Sequence, residues 1–309
     1  MSRYMRLSIE ILCLMAAFTA QAFDSAEWLG QRKLLGYEAA RLSKAYAKCC
    51  QSVSEAAESI EIPVEAYPDG SVKLGLAAKR AQIFINTGMV WGEGVTIRQM
   101  KRGGELEAKI DADNCVVDRE TRSGWVDGHA HAEFGGDVSL DGDKVYFSAY
   151  EEYLAIYTNT VLKADGKELR SVRADYDNQN GVAMFDGAVE LTGAEGKVDY
   201  TINASQAFVF LSGTNELRRV VALGGVRIKS GDRSGACDRA VYTRGDSKIV
   251  MYGDGDGRKA QLADGSKRNN KIEGDRITFW IDGEQVEVVD SAVTVDAKEM
   301  KLPIGANGL

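Results

Sequence analysis

The stretch VVALGGVRIKS, Val220 to Ser230, has the form of a β-hairpin: an apolar arm, a glycine pair and a second, alternating arm. In the second arm Val226 and Ile228 point to one face and Arg227 and Lys229 to the other, because consecutive side chains on a strand lie on opposite sides. The same pattern recurs as MVWGEGVTIRQ from Met89, VAMFDGAVELTG from Val182 and VVDSAVTVDA from Val288. Val95 with Ile97, and Val189 with Leu191, repeat the apolar face.

A second signature precedes each copy: a small residue, a polar residue, then alternating apolar positions. It starts at Ala78, Ala112, Gly142, Ala174, Ala204, Cys237 and Gly274, at steps of 30 to 37 residues. The inward position of the glycine motif follows each start, at Val95, Ala130, Val161, Val189, Val226, Gly255 and Val293. One such step cannot bury its apolar face alone, so the steps must stack. The pattern predicts an all-β fold: a repetitive β-jellyroll or β-solenoid of about seven two-strand units around a continuous apolar interior. It occupies 63–300, as one domain or as two sub-domains meeting near residue 168, with 301–309 a tail.

Upstream the period changes. Asp24 and Glu27 form a capping box. Trp28, Leu35, Leu42, Cys49 and Ala56 then fall seven apart, interleaved with Ala39, Tyr46, Val53 and Ile60. This predicts one long amphipathic α-helix over 23–62, its apolar rows running about nine turns from Trp28 to Ile60, ending before Pro63. It suits either a coiled-coil partner or a cover over the open end of the β structure.

The first 22 residues read as a cleaved signal peptide. Arg3 and Arg6 precede the apolar run Ile11–Ala20, and Ala20-Gln21-Ala22 has small residues at the cleavage positions. That run is about half the roughly 20 residues needed to span a bilayer. An exported, periplasmic protein is expected, and there Cys49, Cys50, Cys115 and Cys237 could pair, although neighbours on a helix are poorly placed for a mutual bond. The net charge of −8 over 309 residues opposes nucleic-acid binding and anionic membrane surfaces. It leaves open a ligand held by its hydrocarbon part.

The repeat resembles the OstA-like domain of the lipopolysaccharide-export family, which includes LptA and LptC. Cys237-Asp238-Arg239-Ala240-Val241-Tyr242 is close to that family's A-D-R-A-x-Y strand, and Gly187-Ala188-Val189 and Gly224-Gly225-Val226 resemble its Gly-x-Val strand. The resemblance covers Ser71 to Ala297 and is closest in the last four units. It implies a periplasmic β-jellyroll, open and V-shaped in section, that carries the acyl chains of lipopolysaccharide or a similar glycolipid. It also implies joining end to end with other β-jellyroll proteins. The lipid-facing positions it implies are Val95, Ile97, Val161, Val189, Leu191, Val226, Ile228 and Val293, with Phe84, Phe147, Phe208 and Phe279 on the facing strands. The length, the added helix and the missing asparagine in most glycine motifs depart from the family pattern. They leave open bridge protein, inner-membrane partner or paralogue.

Signs of chemistry are few. His129, His131 and Glu133 share one strand face, as a metal trio would, but aligning Asp127–Ala132 with Asp186–Leu191 puts Ala130 and Ala132 inside and the histidines outside. Gly253–Gly257 resembles the start of a calcium loop, yet Arg258 and Gly265 stand where ligands belong. No catalytic residue, metal or cofactor is expected. A structural β-solenoid with a filled core, or a carbohydrate-active solenoid enzyme with clustered carboxylates, are the alternatives.

Overall fold

The computed structural model describes residues 25–134, 138–211, 216–254, 257–265, 270–283, 285–289 and 292–294. The signal segment and the 301–309 tail lie outside them. The chain divides into two compact units, Met1–Arg41 and Leu42–Leu309.

Helix α1 spans Ser25–Ser52. Its buried residues Leu35, Ala39, Leu42 and Cys49 belong to the two rows read from the sequence. The helix is shorter than the expected 23–62. The Ser52 hydroxyl turns back onto the Lys48 carbonyl (3.0 Å), and the Gln82 side-chain oxygen then accepts the N–H groups of Ser54 (3.0 Å) and Glu55 (3.3 Å). Ala57–Ala66 is not helix but a strand, β1, antiparallel to β2 (Val72–Phe84). Among the described residues β2 is its only partner, and such an edge tolerates Pro63.

From β2 the chain runs as a continuous antiparallel meander: β3 (Met89–Met100), β4 (Leu106–Asp118), β5 (Ser123–Phe134), β6 (Val138–Ser148), β7 (Tyr153–Ala164), β8 (Lys167–Asp177), β9 (Val182–Glu195), β10 (Val198–Leu211), β11 (Leu217–Ser230) and β12 (Arg233–Thr243). β7 and β8 pair across residue 168, so no sub-domain boundary falls there.

The opening stretch is not a hairpin. Val220–Ser230 lies within one strand, β11, bent at Gly224 (φ 79°) and Gly225 (φ 61°) where its register slips against both neighbours. The other odd strands bend at the same place, at Gly94, Gly128–His129, Thr158–Asn159 and Gly187–Ala188, all at positive φ. Residues in that region swing the strand as a bulge does. Each long strand thereby contributes one half to each of two half-sheets. Beyond β12 the halves separate. β14 (Ala260–Asp264), β15 (Asn270–Gly274) and β18 (Ala292–Thr294) extend the first half-sheet, and β13 (Lys248–Tyr252), β16 (Arg276–Trp280) and β17 (Val286–Val289) the second. Counting each separated pair as one strand, β2 to β18 make the seven two-strand units of the repeat, and β1 is extra.

The half-sheets face each other across one hydrophobic core, drawn from Ile62 in β1 to Ile281 beyond β16. The largest enclosed side chains there are Leu76, Ile156 and Leu169 in the earlier units and Phe185, Tyr242, Ile249, Met251, Leu262, Ile277 and Phe279 in the later ones. From β3 to β9 the outer face of the second half-sheet is buried as well. There Asp175, fully enclosed, accepts Tyr153 Oη (2.5 Å) and the Arg173 guanidinium (2.6 and 2.9 Å), and Trp125 stacks near Tyr157.

Candidate functional site

Two facing half-sheets joined at their bends leave a seam along the opposite rims, where the turns of one approach the turns of the other. Along the later units polar groups tie this seam. Arg244 reaches Asp165 (3.1 Å), which also accepts the Leu217 N–H (3.1 Å). Glu195 binds the hydroxyls of Tyr242 and Ser247 (3.2 Å to the latter) and the Lys167 ammonium (3.3 Å). Burial pushes the Glu195 carboxyl up, but its donors outweigh that and hold it below the ordinary range. The Tyr200 and Tyr242 rings meet at 5.6 Å across the gap, and Arg233 donates to the carbonyls of Trp280 (3.1 Å) and Gly283 (2.7 Å). At the N-terminal end Arg122 reaches Glu65 (2.9 Å).

Between the ties at Glu65 and Asp165 lies a cavity of about 560 Å³. Leu74, Ile97, Ile110 and Phe134 line it from the first half-sheet, and Phe147, Leu154, Tyr176 and Leu211 from the second. Phe134 and Tyr176 meet edge to face at 5.2 Å, bridging the two. Burial pushes the Tyr176 phenol up to about 12, so it stays a neutral donor, here to Asn178 (2.9 Å). The Phe147 ring lies over Gly124, where an added Cβ would come within 2.3 Å of it, so the glycine lets the ring lie back from the cavity. The mouth carries Gln99, Lys101, Glu107, Ser148, Glu152 and the 178–180 turn, with the exposed Leu106 on its lip.

The structure treats the predicted lipid-facing residues unequally. Ile97 and Phe147 line the cavity. Val95, Val189, Leu191, Val226, Ile228 and Phe279 face the interior but are packed into the core. Val293 stands on β18 opposite Ile272, and its side chain lies outside the described residues. Three positions are corrected. Val161 is only half-buried, while Thr160 and Leu162 are buried and take the inward places, because Thr158 and Asn159 form a two-residue bend without glycine and shift the parity by one. Phe208 and Phe84 stand on the outer face, half-buried, since Ala207 and Val209, and Ala81, hold the inward parity.

The missed residues had a signal. In five copies the inward positions fall three and five after the small residue: Cys115 and Val117, Val145 and Phe147, Ala207 and Val209, Ala240 and Tyr242, Ile277 and Phe279. Ser171 heads the copy that ends in Ala174 and Tyr176. Aromatic character alone does not mark the inward face: Phe84 and Phe208 stand outward and Tyr176 inward.

Ala130 and Ala132 are buried, and the histidines point outward, His129 to Asp113 (2.8 Å) and His131 to Asp141 (2.5 Å). Among the described residues no group of three or more His, Cys, Asp or Glu could hold a metal. Among the described residues Cys49, Cys50, Cys115 and Cys237 form no disulfide. No described helix is long and apolar enough to cross a membrane.

A β-jellyroll of bent strands with an apolar, rim-opening cavity is the class of protein these features define. The model of the family described as LptA/(LptD N-terminal domain) LPS transport protein matches residues 168–285, so the resemblance read from the repeat holds over that segment. A solved structure, LptH from Pseudomonas aeruginosa, described as the LptA-homologous periplasmic component of the lipopolysaccharide transport device, is similar at 12% identity. The match covers 42% of this chain and 94% of that one, with a TM-score of 0.36. No curated protein sequence matches the chain.

Proposed function

We propose that the protein is a periplasmic carrier of the lipopolysaccharide-export type, which holds the hydrocarbon part of an envelope glycolipid between its half-sheets and passes it to a neighbouring β-jellyroll. It would do so without altering the lipid chemically. The observation that carries this reading is the cavity between Ile97 and Phe147, apolar within and polar at its mouth. The match of residues 168–285 to a transport family supports it. Each methylene taken from water contributes roughly 0.8 kcal/mol, so a chain of modest length binds without specific chemistry. Transfer then needs only a comparable apolar surface on the next protein.

A photo-crosslinking residue placed at Phe147 should capture glycolipid in cells, and the same residue at the outward Phe208 should not. Capture at neither, with both variants folded, would favour the structural β-solenoid, to which the packed later units already conform.

A further inference from the structure

The size and charge of the cavity narrow the ligand beyond that reading, on which this inference rests. At roughly 30 Å³ for each methylene-sized group, about the share of liquid volume one water takes, 560 Å³ holds on the order of 18 such groups. That is one long chain, and several chains side by side would need several times the space. The seam restricts expansion toward the later units, because Asp165 and Glu195 tie the rims there. The mouth has one cation, Lys101, against two carboxylates, Glu107 and Glu152. A phosphorylated head would meet net repulsion there. Ser148, Asn178 and Gln179 instead supply the uncharged donors and acceptors that hydroxyl groups match.

We infer that with its seam tied the cavity is a site for a single-chain amphiphile, one long alkyl or acyl chain bearing an uncharged, hydroxyl-rich head, at one molecule per chain. The probes are hexadecyl maltoside, hexadecyl phosphate and lipopolysaccharide, each added to the full-length protein below its aggregation threshold and counted by native mass spectrometry. Hexadecyl maltoside should bind one to one, about tenfold tighter than hexadecyl phosphate. The Glu107→Gln/Glu152→Gln double variant, altered only at the mouth, should close that gap. Equal binding of the phosphate and the maltoside by the unaltered protein would overturn the assignment of the head. Lipopolysaccharide binding that maltoside does not compete would overturn the single-chain site and leave the carrier reading standing. If none of the probes binds, both fail.

Discussion

Thr158 is the one β-branched side chain at positive φ among the described residues. A β-branched side chain at φ 75° costs on the order of 1–3 kcal/mol, and Asn159 follows at φ 54°. Asp143 holds the pair, accepting Asn159 Nδ2 (2.6 Å) and Thr158 Oγ1 (3.2 Å). The other odd strands of the continuous meander have glycine at the first bent position. Thr158→Gly should therefore stabilise the protein by about 1 kcal/mol in urea unfolding, at an unchanged denaturant slope. A loss of stability would mean that the contact with Asp143 outweighs the strain. Without the glycine this copy lacks the marker that fixes parity in the others, so the sequence pattern points to Val161 where the folded strand turns Thr160 inward.

At the scale of elements, two features were hidden for the same reason. A glycine pair between alternating arms suits a hairpin and a bent strand equally, since both need positive φ at the glycines. Only the partners decide, and β11 is flanked along both arms by β10 and β12. Likewise Ile60 continues the helical row and also alternates with Ile62 and Val64 as a strand. Gln82, on β2, helps to settle it by catching the chain at Ser54 and Glu55. Gln82→Ala should speed amide exchange at those two positions and cost on the order of 0.5–1 kcal/mol. Unaltered exchange there would show that the helix stops for another reason.

For the whole molecule, the seam contributes one acid-sensitive tie. Glu195 is held below its ordinary range in the folded state, so its contribution is present above the unfolded-state value and is lost as pH falls through the folded one. Tyr242→Phe removes one of the donors that hold the carboxyl down. The acid-unfolding midpoint should then move to higher pH, with a loss of about 1–2 kcal/mol at neutral pH. An unmoved midpoint would mean that the tie contributes nothing to acid stability.

What the sequence determined by itself was the period of the repeat, the seven steps, the alternation and the buried stripe of the helix. These follow from local rules of side-chain direction that hold wherever the strand is placed. What only the tertiary structure decided was that the glycine motif bends strands, and that the interior is packed through most units and open beside Ile97 and Phe147. A gap depends on volumes contributed by strands far apart in the chain, and on which rim carboxylates find donors across the seam, neither of which any single stretch of residues contains.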